Sequence, residues 1–272
     1  MVGRVISHYE ILEKLGEGGM GVVYKARDLV LHRHVALKFP AEHFVRDREM
    51  RDRLLNEARL AATLLHQNVT VIHEIGEHEG KPFIVMEFVD GFTLRRAIRE
   101  RGPLSIDAFI DIAVQLCEGL KAVHDKQVLH RDIKTENVLL TEENRVKIAD
   151  CGLAARFIDD EGLEEVLGIA GTTAYMSPEQ IRGDLLDQRS DLFSAGVVMY
   201  EMLTGRLPFE ADHPAALKYL ITNCEPKPVV DYRADVPDHI QQIVYRSLKK
   251  DPGNRYQHVG EVIRDLHAGR VQ

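Results

Sequence analysis

The chain has 272 residues, of which 29% are charged and 44% hydrophobic, and its net charge is −8. This composition belongs to a soluble globular protein with ample material for one large domain or for two lobes around a cleft. The negative charge argues against general affinity for nucleic acid or anionic membranes, although it leaves room for a local basic groove. The first residues, MVGRVISHYE, lack the apolar core of a signal peptide, and no run of 18 apolar residues occurs anywhere. A cytoplasmic domain without membrane contact is therefore expected, whether or not it is cut from something longer.

Residues 9–39 read as three strands: Tyr9–Leu15, a second through Val22-Val23-Tyr24, and Leu31–Phe39. Between the first two lies Gly16-Glu17-Gly18-Gly19-Met20-Gly21. The G-x-G-x-x-G spacing alone is weak, because a dinucleotide site uses it before a helix. Here β-rich sequence continues on both sides, which favours a strand–loop–strand flap whose backbone N–H groups approach phosphate. Asp47–Leu65 reads as the first helix, with Leu54, Ala58, Ala61 and Leu65 on one apolar stripe and Glu57 beside it. Val71–Gly76 and Phe83–Val89 then form a hairpin that completes a five-stranded sheet. Asp90-Gly91, a turn pair, closes this half.

Leu94–Glu100 is a short helix, and Ser105 caps a long one with Phe109, Ala113, Leu116, Leu120 and Val123 on one face. Cys117 belongs to that face as a small buried hydrophobe. With Cys151 and Cys224 it makes an odd, scattered set without C-x-x-C spacing, the usage of a reducing compartment without structural zinc. The stretch His130–Gly152 concentrates the chemistry. Asp132 and Asn137 lie on irregular sequence, Val138–Leu140 and Val146–Ala149 read as two short strands, and Asp150 ends the second. That hairpin gathers a base, an amide ligand and a carboxylate ligand, the set that phosphoryl transfer requires. Ser190–Thr204 is apolar nearly all round but too short to span a bilayer, so it belongs in the middle of a core. Asp191 in its first turn is then a candidate buried acceptor for the backbone near His130. Helices over 237–248 and 259–266 finish the chain.

Taken in order, these segments resemble the protein kinase family. His130-Arg131-Asp132…Asn137 resembles its catalytic loop, Val35-Ala36-Leu37-Lys38 its strand lysine, and Asp150-Cys151-Gly152 its D-F-G with cysteine in the middle. Ser177-Pro178-Glu179 resembles A-P-E, and the glycine loop and TAYMSPEQ are most similar to bacterial eukaryotic-like Ser/Thr kinases. The resemblance implies an α+β, bilobal fold: a five-stranded β lobe with one main helix (about 1–89), a hinge (about 87–91) and a larger helical lobe (about 92–272). It implies ATP and a protein Ser/Thr substrate as partners and Mg²⁺ as cofactor, with Mn²⁺ as an acceptable substitute and a homodimer allowed. Asp132 would be the base, Asn137 and Asp150 the metal ligands, Lys38 and Lys134 the phosphate-facing cations, and Thr172 the threonine that holds Asp132 and Lys134. Glu57 would pair with Lys38. Nucleotide would lie among Gly16, Glu17, Gly18, Gly19, Gly21, Val23, Ala36, Met86 and Leu139, with Glu87 and Val89 at the adenine edge. Arg255 would pair with Glu179. Thr135 stands where the family usually has proline, a change expected to relax the loop and little else.

Cys151 keeps a second reading open, an ATP-binding scaffold without catalysis, because the family's phenylalanine links the first helix to the metal aspartate. Its loss is expected to leave Asp150 loosely held. The segment Leu153–Gly171 has no Ser, Thr or Tyr but carries Asp159, Asp160, Glu161, Glu164 and Glu165. Arg131 would otherwise order such a segment through a phosphate. A glutamate, at a single charge against roughly −1.5 to −2, is a permanent though weaker acceptor for it. Glu164 or Glu165 is expected to stand in for the phosphate. Phosphatase-treated protein should then be as active as untreated protein, and Glu164→Ala with Glu165→Ala should lower activity; silencing by phosphatase would refute the substitution.

Overall fold

The structure is a computed structural model and describes residues 1–151 and 170–268. Its first half is an antiparallel sheet of β1 (Val5–Ile6), β2 (Tyr9–Gly18), β3 (Gly21–Asp28), β4 (Arg33–Pro40), β5 (Ile72–His78) and β6 (Lys81–Glu87), in the order β1-β2-β3-β4-β6-β5. The sheet thus has six strands and not five. β1 is two residues long, too short for alternation to reveal, and it is held by Val5 opposite Glu10 and Ile6 opposite Tyr9. Alternation decides what the central strands present. Val35 and Leu37 of β4 pack with Phe83 and Val85 of β6 on one face, while Ala36 packs with Ile84 and Met86 on the other. Lys38, two residues after Ala36, therefore faces the same side as Ala36.

The glycine turn joins β2 to β3, where β2 shifts register between Lys14 and Gly16 and so bends. Gly21 has φ +128°, and a Cβ there would lie 2.0 Å from the Phe39 carbonyl oxygen, so only glycine fits.

Helices α1 (Glu42–Arg46) and α2 (Arg48–Ala61) follow β4, and the Asp47 side chain caps α2 by accepting from Met50 N at 2.9 Å. The expected helix to Leu65 stops four residues early. After Ala61 the turn tightens, with Thr63 N donating to Leu60 O and Leu64 N to Ala61 O. That advances the phase, so Leu64 is 2% exposed while Leu65 is 79% exposed.

The second half opens with β7 (Gly91–Thr93), α3 (Leu94–Arg101) and α4 (Ile106–His124), and α4 is capped by Ser105. β8 (Val138–Thr141) pairs with β7 on one edge and β9 (Val146–Ile148) on the other. β9 also bonds back to the first half. Ile148 N donates to Asn68 O at 2.8 Å, and Thr70 N donates to Ile148 O at 2.9 Å.

Beyond the undescribed stretch come α5 (Ala170–Thr173), α6 (Pro178–Arg182), α7 (Gln188–Thr204), α8 (Pro214–Asn223), α9 (Asp238–Ser247) and α10 (Val259–Ala268). Every residue of α7 from Ser190 to Thr204 is buried, as its apolar circumference requires. It packs with α4, α9 and α10 in one large core that includes Leu120, Phe193, Met199, Ile243 and Val262. Among the described residues no helix is long and apolar enough to cross a membrane.

Arg255 is fully buried and makes a fork to Glu179, with Nη1–Oε1 at 2.6 Å and Nη2–Oε2 at 2.8 Å. Burial alone would raise the Glu179 pKa, but Arg255 and the Ser190 hydroxyl outweigh it and hold the carboxyl below its usual range. Its stability contribution is present above the ordinary glutamate pKa and is lost as pH falls through the lowered folded value. Arg255→Ala should cost about 3–5 kcal/mol, because it strands a buried carboxylate. It should also flatten the acid limb of a stability–pH curve; a melting temperature within a degree of the parent protein would contradict both expectations.

Candidate active site

Between the two halves lies a cleft of about 900 Å³, roofed by the glycine turn and floored by β8 and the segment before it. Every nucleotide, catalytic and metal residue anticipated from the sequence lines it, with the exception of Glu57. A Cβ at Gly16 or Gly18 would meet nothing within 4 Å. Packing does not demand glycine at those two positions, whereas the approach of a ligand to bare backbone would. Val23 and Ala36 face the cleft from the sheet, Leu139 from β8, and Met86 from the end of β6.

Lys38 is buried, and its Nζ lies 2.8 Å from Asp150 Oδ1. The implied Lys38–Glu57 ion pair is not formed among the described residues. A buried ammonium needs a carboxylate, and Asp150, left-handed at φ +59° just after β9, is the one that reaches it. Burial opposes ionisation of Asp150, but Lys38 first, then Lys134, outweigh it and hold the carboxyl below its usual range. One ion pair at 2.8 Å leaves the Lys38 ammonium with N–H donors to spare. Spare buried donors of this kind suit an anion entering the cleft.

Asp132 is held from two sides. Its Oδ2 accepts from Asn137 Nδ2 at 2.9 Å and lies 2.8 Å from Lys134 Nζ. Lys134 also donates to Thr172 Oγ1 at 3.1 Å, which ties the segment ahead of α6 to the catalytic one. Since the Asn137 amide donates to both Asp132 O and Asp132 Oδ2, its carbonyl oxygen is the atom left to a cation. One carboxylate and one amide oxygen make a hard-oxygen donor pair, suited to a small divalent ion.

The segment owes its shape to a relay of hydrogen bonds. Asp191 in α7 accepts from His130 N at 2.9 Å, from Arg131 N at 2.7 Å and from His124 Nε2 at 2.8 Å. Burial would neutralise this carboxyl, and the His124 bond and the nearby donors hold its pKa down. Burial also lowers the His130 pKa, and the neighbouring bonds select its neutral tautomer. Asp132 N donates to Nδ1 at 3.3 Å, while Nε2–H donates to Ala149 O at 3.0 Å, one residue before Asp150. His124 went unassigned from the sequence, where nothing marks a partner 67 positions away. Gln180, whose Nε2 donates to Arg131 O at 3.0 Å, was likewise silent. Arg131 has a buried Nε without a hydrogen-bond partner among the described residues. Glu164 and Glu165, its expected partners, lie outside the described residues.

Cys151 is not loosely surrounded. It is 5% exposed and packs with Ala58, Ala61, Ile72, Met86 and Val123. The remaining void, lined in part by Thr70 and Asp150, is about 10 Å³, scarcely room for one water. Compensation comes from residues distant in sequence, which is why the sequence did not show it. Burial, with Asp191 and Asp150 nearby, pushes the thiol pKa well up, so the sulfur stays protonated.

A model of the protein kinase domain family matches residues 9–265. The chain is 40% identical over 271 residues to the serine/threonine-protein kinase PknB of Mycolicibacterium smegmatis, covering 97% of this chain and 43% of that protein. It is 36% identical over 267 residues to a probable serine/threonine-protein kinase of Clostridium perfringens, covering 98% and 39%. It therefore spans about two fifths of the length of these relatives. Among solved structures, the PknI kinase domain of Mycobacterium tuberculosis, as a double mutant, superimposes with a TM-score of 0.80 at 23% identity, covering 98% of each chain.

A phenylalanine ring does not fit the void at Cys151. Cys151→Phe should therefore overpack the site and destabilise by about 1–3 kcal/mol. Differential scanning calorimetry measures this, and an unchanged or raised melting temperature would show that the cluster has slack.

Proposed function

Because the chain belongs to the protein kinase domain family, we propose that it transfers the γ-phosphoryl group of ATP to a serine or threonine hydroxyl of a protein substrate. The observation that carries this reading is that two carboxylate–ammonium pairs, Lys38–Asp150 and Lys134–Asp132, line one cleft beneath the glycine turn. Phosphoryl transfer asks a protein for positioning and electrostatic stabilisation more than for covalent chemistry, and such pairs supply both. Residues about 1–89 and about 92–272 act as the two lobes, joined by a hinge at about 87–91.

Adenine lies between Val23 and Ala36 on one side and Leu139 on the other, its edge against the backbone of Glu87 and Val89, with Met86 behind. The phosphates lie under Gly16–Gly21, whose N–H groups and the spare donors of Lys38 take their charge. Asp150 and the Asn137 carbonyl oxygen would hold the divalent ion, Mg²⁺ by preference and Mn²⁺ in its place. That ion would supply electrostatic stabilisation of the phosphate oxygens. Oδ2 of Asp132 is engaged by Asn137 and Lys134, which leaves Oδ1 to orient the substrate hydroxyl and accept its proton. The hydroxyl oxygen bonds to the γ-phosphorus as the bond to the β–γ bridging oxygen breaks and ADP leaves. Lys134, steadied by Thr172, neutralises the charge that shifts outward.

Transfer of labelled γ-phosphate to a generic basic protein tests this reading, with Asp132→Asn as control. Lys38→Met and Asp150→Asn should each lower the rate by at least about a hundredfold while the protein stays folded. Folded variants that keep near-normal turnover would remove those residues from the site.

A further inference from the structure

Thr135 is no passive replacement for proline. It is fully buried, and its Oγ1 lies 2.8 Å from Tyr175 OH and 3.2 Å from Glu201 Oε2. Tyr175 OH donates to the same carboxylate oxygen at 2.5 Å. Oε1 of Glu201 accepts from Arg95 Nη1 at 2.8 Å, and the Arg95 backbone N donates to Thr135 O at 3.0 Å. Four pieces of chain meet at one buried hydroxyl: the catalytic segment, the segment ahead of α6, α3 and α7. The tyrosine proton is committed to Glu201. Glu136 Oε2 is the most distant acceptor at 3.5 Å, so the threonine proton goes to Glu201 or to the tyrosine oxygen and either way enters the bonding of a carboxylate that burial makes costly.

The position of this hydroxyl matters more than its count of bonds. Lys134, the preceding residue, joins Asp132 to Thr172. Tyr175 N donates to Thr172 O at 3.0 Å. The catalytic segment and the segment ahead of α6 are thus linked twice, Lys134 to Thr172 and Thr135 to Tyr175. A single link fixes a separation, whereas two adjacent links also fix an orientation. Thr172, three residues before Tyr175, lines the cleft beside Asp132, where a protein hydroxyl must approach.

We propose that Thr135 is a positioning residue whose hydroxyl, through Tyr175 and Glu201, sets the orientation of the substrate-docking segment against the catalytic loop. It governs turnover of the protein substrate and leaves nucleotide binding alone. This rests on the kinase activity proposed above.

The test compares the parent protein with Thr135→Val, Thr135→Ser and Tyr175→Phe, reading kcat and KM separately for ATP and for a protein substrate. Thr135→Val removes the hydroxyl at constant shape and should lower kcat/KM for the protein substrate roughly five- to tenfold, the scale of one ordinary buried hydrogen bond. KM for ATP should stay within about twofold, and Thr135→Ser should recover most of the loss, because it returns the same donor. Tyr175→Phe should show the same split, and the double variant should lose little more, as expected of one shared link. Absence of transfer by the parent protein would defeat the kinase assignment itself. With the parent active, the inference falls if Thr135→Val keeps full protein-substrate turnover, or if it raises KM for ATP as much as for protein. Should Thr135→Val fail to fold, Tyr175→Phe decides: unchanged protein-substrate turnover there overturns the proposal.

Discussion

The catalytic half of the cleft hangs on one buried carboxylate. Asp191 accepts two consecutive backbone N–H groups, those of His130 and Arg131, together with the His124 imidazole. Arg131 sits at φ +65°, a left-handed conformation that costs about 1–3 kcal/mol for a residue with a side chain. It persists because the two bonds over-determine it. The strength of those bonds depends on dryness, and dryness is why α7 has to be apolar around its whole circumference. Core packing and catalytic geometry are therefore parts of one constraint.

From that anchor the order spreads to both acids of the site. His130, pinned at its backbone, receives Asp132 N on one ring nitrogen and gives the proton of the other to Ala149 O. A single neutral imidazole thus sets the spacing between the segment carrying Asp132 and the residue before Asp150. Each acid is then neutralised by a lysine from a different part of the chain, Lys134 from the same loop and Lys38 from β4. The charges that would repel in an empty cleft are already balanced, so little reorganisation is needed when phosphate arrives.

Much of this was legible in the sequence because it is local or periodic. The resemblance of Val35-Ala36-Leu37-Lys38 to the family's strand lysine singled out Lys38, the all-apolar run identified α7, and the spacing of Asp132, Asn137 and Asp150 marked one site. What escaped was long-range or subtle. No pattern could reveal a two-residue β1, nor that the turn after Ala61 tightens and exchanges Leu65 for Leu64 in the core. The partner of Lys38 is decided by which carboxylate reaches a buried ammonium, which is a matter of three-dimensional distance. Cys151 replaces a ring that its sequence neighbours could not make up for, yet Ala61, Ile72 and Met86 close around the space beside it. Thr135 seemed inert for the same reason, since Tyr175 and Glu201 lie 40 and 66 positions away.

The strand β9 is bonded on one edge to β8 and on the other to the residues that follow α2. A strand shared in this way cannot travel with either half alone. Any rocking of the sheet half against the helical half would pivot near Ile148, with Asp150, two residues further on, little displaced. The glycine turn at the far end of β2 would move further. The mouth can therefore gape for a nucleotide to enter or leave while Asp150 keeps its register with Asp132.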